Sequence, residues 1–138
     1  MRQAITRFVL AGSGALLGLI GGAMLVETQA FLETSGVEIG SDADLLSELK
    51  APSGVLIIVA AVMLAGSVRP RFARLGLLSG GLVYGSYGLA RLVSMLLDGL
   101  PSKSLIIATI VELGLAGLLF LLRWNDRHSR PISTPLDV

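Results

Sequence analysis

The chain has 138 residues, of which 53% are hydrophobic and 15% charged, with 17 glycines and no cysteine. Its mean hydropathy is +0.78. A soluble domain of this size carries roughly a quarter of its residues as charges. That shortfall argues against an ordinary cytosolic enzyme, a disulfide-stapled secreted domain, a cysteine-based metal site and a nucleic-acid partner. The net charge of +1 says little as a total, and its distribution along the chain says more.

A membrane-spanning helix needs about 17–25 mainly apolar residues. Four blocks qualify, over residues 8–26, 52–68, 72–97 and 104–122. Backbone groups in hydrocarbon must be satisfied internally, so the blocks are predicted as helices and not as strands of a barrel. In the first block, the five glycines Gly12, Gly14, Gly18, Gly21 and Gly22 precede Glu27. A basic start followed by an apolar stretch also fits a cleaved signal peptide; the glycines and the direct run into Glu27 favour a retained span. Gly14, Gly18 and Gly22 form a small-residue ladder, repeated by Gly76, Gly80, Gly81 and Gly85 in the third block. Such ladders serve packing inside one bundle, or a homodimer or partner face.

The loop from Glu27 to Glu48 carries six acids. Within it, Ser41-Asp42-Ala43-Asp44 reads as a capping box. Leu45, Leu46 and Leu49 then share a face, which predicts a short amphipathic helix over about 41–50. Pro52 suits the first turn of the second span. The third block is long, so a bend near Gly80-Gly81 is expected. Asp98-Gly99-Leu100-Pro101 reads as a tight turn. Beyond Trp124 the chain turns polar, with Pro131 and Pro135, and is expected to be disordered past Arg130.

Loop charge orients the spans. Arg2, Arg7, Arg69, Arg71, Arg74, Arg123, Arg127 and Arg130 fall on one side, against Lys50 and Lys103 on the other. Both termini are therefore expected in the cytoplasm, with the acidic loop outside and Trp124 as an inner interfacial anchor. The fold expected is all-α: one polytopic membrane domain over 1–125, a four-transmembrane-helix bundle with a cytoplasmic tail over 126–138.

Two charges lie deep in the apolar blocks. Tyr84, Tyr87, Arg91, Ser94 and Asp98 recur at helical spacing on one face of the third block. Arg91 is seven residues inside Asp98, and Glu112 nine inside Lys103; at 1.5 Å per residue both lie about 10–13 Å deep. A charge at such a depth costs about 2.5–3.5 kcal/mol on insertion scales, so it faces inward and finds a partner. Three readings stand. Arg91 and Glu112 form a structural ion pair; they line a pocket where Arg91 meets an anionic lipid or ligand group; or Glu112 carries a proton during transport. Tyr84 and Tyr87 either donate into that pocket or bond to backbone carbonyls. Glu48 and Asp98 are candidates for its rim, with plain solvation the alternative for Glu48. The lone His128 takes no role. No metal-ligand set, cofactor motif or nucleophile–base pair is visible, and no enzyme activity is expected.

Two stretches carry a family resemblance. Ser47-Glu48-Leu49-Lys50-Ala51-Pro52-Ser53-Gly54 resembles a Ser-Glu-x-Arg-Ala-Pro-Gly-Gly signature. Gly88-Leu89-Ala90-Arg91-Leu92-Val93-Ser94, followed by Asp98-Gly99-Leu100-Pro101 and Glu112, resembles a Gly-x-x-Arg-x-x-Ser…Asp-Gly-x-Pro…Glu signature. Together they resemble domain-of-unknown-function family 4345, small bacterial four-helix membrane proteins. Lys50 and Ser53 depart from that pattern, and lysine is a weaker partner than arginine for a bidentate carboxylate. The resemblance implies four spans in a bacterial inner membrane and supplies no activity. Three functions are compatible: a non-enzymatic protein with a polar pocket near the outer leaflet, a small oligomeric proton-coupled transporter using Glu112, or an accessory subunit docking through Gly14, Gly18 and Gly22.

Overall fold

The computed structural model describes residues 2–128. Five helices account for most of it: α1 (Arg2–Val26), α2 (Thr28–Glu33), α3 (Ala43–Val68), α4 (Pro70–Asp98) and α5 (Lys103–His128). The fold is all-α. Three helices contain segments long and apolar enough to cross a membrane: Gln3–Val26, Ala43–Val68 and Lys103–Asn125. α4 has the length, at 29 residues, but its glycines, serines, tyrosines and Arg91 dilute its apolar character. Three of the four expected blocks thus lie in helices of that length and apolarity, and the third block lies in α4, set apart by composition.

Local chemistry explains the boundaries. Asp42 caps α3, its Oδ1 accepting from the Leu45 amide at 2.9 Å, so Asp42 and not Ser41 begins the helix. Pro70 starts α4 at the first position, where no amide donor is required. Gly99 ends it with φ +95°, a left-handed conformation that side-chain-bearing residues resist. Arg7 reaches from α1 to the last turn of α3, donating through Nε to the Ser67 carbonyl at 2.7 Å and through Nη2 to that of Val68 at 3.3 Å. A cation there satisfies orphan carbonyls and opposes the helix dipole.

Three expectations change. The amphipathic 41–50 segment and the second span are one helix, α3, with Pro52 inside it. The ring removes one backbone bond, but Glu48, whose carbonyl loses its donor, lies on an exposed turn. The core stripe Ser53, Leu56, Ala60 and Met63 continues the phase of Leu46 and Leu49, and this shared face keeps the helix unbroken. The short α2 was not anticipated; the buried Thr28 anchors it by donating to the Met24 carbonyl at 2.6 Å. α5 runs past Trp124 to His128. The expected disordered tail past Arg130 lies outside the described residues.

The helices pack in chain order, α1 on α3, α3 on α4 and α4 on α5, whereas α1 and α5 hardly touch. Each pair is antiparallel. Rising positions on α1 meet falling positions on α3: a Cβ at Gly14 would lie 3.0 Å from Met63 Cβ, and one at Gly21 would lie 2.9 Å from Leu56 Cβ. Across α4 and α5, Gly81 faces the Phe120 ring, Gly85 faces Ala116 and Gly88 faces Leu113. The core consists of Leu10, Leu17, Leu56, Ala60, Met63, Leu77, Tyr84, Ala116 and Leu119. Large apolar side chains cover the outside, Phe8 at 80% and Leu19 at 72% exposure among them.

Gly22 meets nothing within 4 Å, so Gly14, Gly18 and Gly21, not Gly22, face α3. Overpacking a tight contact costs about 1–3 kcal/mol. Gly21→Leu should therefore lower the thermal stability of the purified protein markedly, while Gly22→Leu, one residue away, should leave it nearly unchanged.

Candidate functional site

Gly88 is where α4 and α5 come closest near the end of the bundle that carries the acidic loop. A Cβ there would lie 2.7 Å from Leu113 Cγ and 3.4 Å from the Leu113 backbone nitrogen. Arg91 follows Gly88 by one turn, and Glu112 precedes Leu113. The close approach thus sets the two charges opposite each other. Arg91 Nε lies 3.1 Å from Glu112 Oε2 and 3.3 Å from Oε1. The side chains are 33% and 16% exposed, respectively. This is an arginine held by one edge: Nε points at both carboxylate oxygens, and neither terminal nitrogen, Nη1 or Nη2, makes a hydrogen bond to the described residues.

The remaining residues of the α4 stripe divide. Tyr84 is buried, and its hydroxyl donates to the Ser13 carbonyl on α1 at 2.7 Å. It takes the backbone-carbonyl alternative and ties α4 to α1. The hydroxyl of Ser13 itself donates to the Val9 carbonyl. Tyr87 is half-buried beside the core, within electrostatic reach of both Arg91 and Glu112. Asp98 is exposed and accepts from the Ser94 hydroxyl at 2.9 Å, one turn back on its own helix. Glu48 is exposed on α3. Neither carboxylate is hydrogen-bonded to Arg91, whose bonds go to Glu112. Thr109, on the buried side of α5, donates to the Leu105 carbonyl at 2.8 Å and has no spare donor.

One polar residue of the interior was not anticipated as a site residue. Ser53 is fully enclosed, and its hydroxyl makes no hydrogen bond among the described residues. A serine or threonine in a helix can donate to the carbonyl four residues back, as Ser13, Ser79 and Thr109 do. Ser53 follows Pro52 directly. Its place in the Leu46-Leu49-Ser53-Leu56 stripe was the available signal.

Among the described residues no group of three His, Asp or Glu side chains is arranged to hold a metal ion. Breaking a buried ion pair from one side costs about 3–5 kcal/mol, and replacing both partners with apolar residues is often neutral. Glu112→Leu alone should destabilise the purified protein toward the lower end of that range, because Arg91 retains partial exposure. Arg91→Leu with Glu112→Leu should recover most of the loss in a thermal-unfolding series.

No curated protein and no solved structure matches the chain. A family does match, described as "Domain of unknown function (DUF4345)", over residues 5–123. That span takes in all of α3 and α4, the Arg91–Glu112 pair, and both signature stretches around Glu48 and Gly88. The chain belongs to the DUF4345 family.

Proposed function

We propose that this is a non-enzymatic, four-span protein of a bacterial inner membrane, with both termini in the cytoplasm and a polar site in the outer half of the bundle. The site binds an anionic group, either of a lipid head group or of a small anion. The observation that carries this reading is the one-edged arginine. Glu112 takes Nε, and Nη1 and Nη2 are left as a two-donor end on a side chain one-third exposed. A guanidinium end of that kind matches two oxygens of a phosphate or carboxylate. Tyr87, beside the pair, supplies a further hydroxyl.

α4 serves as the fourth span in this reading. It packs between α3 and α5, with Tyr84 and Tyr87 of its polar stripe turned toward neighbouring helices and Arg91 toward Glu112 on α5, while Ser94 and Asp98 at the outer end are exposed. The arginine-rich end, with Arg7, Arg69, Arg71, Arg74 and Arg123, is the cytoplasmic one by the positive-inside rule.

Two experiments test these statements. The chain lacks cysteine, so single cysteines report topology without background. In intact bacterial spheroplasts, Ser35→Cys should react with an impermeant maleimide, and Ser129→Cys should react only after permeabilisation; the reverse pattern overturns the orientation. For the site, delipidated protein is titrated with phosphatidylglycerol or with inorganic phosphate and observed by native mass spectrometry. One component of that binding should fall at least tenfold in the charge-neutral double variant Arg91→Gln, Glu112→Gln. Binding with every component unchanged would overturn the anion reading.

A further inference from the structure

The opposite end of the bundle carries a second feature that the Arg91 site does not use. Between α4 and α5 lies a hollow of about 240 Å³ lined by Leu78, Phe120, Arg123 and Trp124. Arg123 stands at its edge. Its Nη1 donates to the Arg74 carbonyl on α4 at 3.1 Å, which pins the side chain across the groove. Nε and Nη2 make no further hydrogen bond to the described residues. The cation is thus fixed in place with donors remaining.

Three observations point to the occupant. The first is size. Small-molecule pockets typically run from about 300 to 1,000 Å³, so this hollow is too small for a whole phospholipid and large enough for a phosphate with part of its glycerol. The second is charge. The chain gathers Arg69, Arg71 and Arg74 at the start of α4 and Arg123 and Arg127 at the end of α5, against the single acid Asp126 in those segments. The third is the surface leading away from the hollow. Leu82 and Leu89 continue the Leu78 face of α4 toward the other end of the bundle, and they are 57% and 59% exposed. A cation at the mouth of an apolar track is matched by an anionic head joined to an acyl chain. Trp124, 62% exposed beside Arg123, has the amphipathic ring that favours the head-group level.

We infer that the α4–α5 groove at the arginine-rich end is a binding site for an anionic phospholipid, with its phosphate on Arg123 and an acyl chain along Leu78, Leu82 and Leu89. Basic pockets between spans on the cytoplasmic side are suited to such lipids. The inference rests on the membrane orientation proposed above, but it uses none of the residues of the Arg91 site.

The test uses the full-length protein in native mass spectrometry, titrated separately with phosphatidylglycerol, phosphatidylcholine and inorganic phosphate. Phosphatidylglycerol should bind with a component that Arg123→Gln weakens at least tenfold and that the Arg91→Gln, Glu112→Gln variant leaves intact. Phosphatidylcholine should not compete for it, because its choline brings a second positive charge to the arginine cluster. Leu82→Glu, which places a like charge on the acyl track without touching Arg123, should weaken it as well. Should Arg123→Gln prove poorly folded, Leu82→Glu alone decides. Phosphatidylglycerol binding unaffected by both variants overturns the proposal. Equal binding of inorganic phosphate, insensitive to Leu82→Glu, overturns the lipid assignment in favour of a phosphate site. Loss of the component in the Arg91 variant alone assigns the lipid to the other end and overturns the groove as its site.

Discussion

Met63 is the point on which the bundle turns. It lies on the buried stripe of α3, fully enclosed, and three glycines converge on it. A Cβ at Gly14 would lie 3.0 Å from its Cβ, one at Gly76 would lie 3.2 Å from its Cα, and one at Gly80 would lie 2.6 Å from its Sδ. α1 and α4 therefore both approach α3 so closely that a side chain at these glycines would force Met63 or its neighbours to shift. A flexible thioether fills the irregular space between them. The rest follows from this convergence. α4 is drawn against both α1 and α3, Tyr84 comes within reach of Ser13 on α1, and the other face of α4 is left for α5.

That division of α4 between two partners accounts for the placement of the charges. Its α1/α3-facing side carries Gly76, Leu77, Gly80 and Tyr84, while its α5-facing side carries Gly81, Gly85, Gly88 and Arg91. The α5-facing glycines are spaced to keep the two backbones close up to the turn before Arg91. The guanidinium consequently meets Glu112 within hydrogen-bond distance without a long reach. Packing and ion pairing are two results of one spacing.

Much of this was legible in the sequence. Long apolar blocks give helices reliably because periodicity and length agree, and the Arg91–Glu112 pairing followed from equal depths on consecutive antiparallel segments. Other features needed three-dimensional information. Pro52 reads as a helix start by local rule, yet the stripe from Leu46 through Met63 keeps phase across it, and tertiary packing outweighs the lost backbone bond. Gly14, Gly18 and Gly22 share a spacing, but a spacing does not say which partner fills it; α3 lies on the Gly21 side, so Gly22 is bypassed. Tyr84 has the same periodicity as Arg91 and a different destination, because Ser13 of α1 lies within its reach. The unbonded Ser53 hydroxyl had no sequence signature beyond its place in the stripe.

The contact of Arg7 with the carbonyls of Ser67 and Val68 sets an order on assembly. The cap joins residues separated by some sixty positions, and the chain leaves the ribosome N-terminus first. α1 is therefore complete long before the carbonyls it closes exist. Until then the guanidinium has no partner at that end of the bundle. When the end of α3 forms, it meets a donor on a helix already complete, and the turn into α4 is fixed against an earlier part of the chain. The same side chain thus passes from an open donor to a joint of the finished bundle.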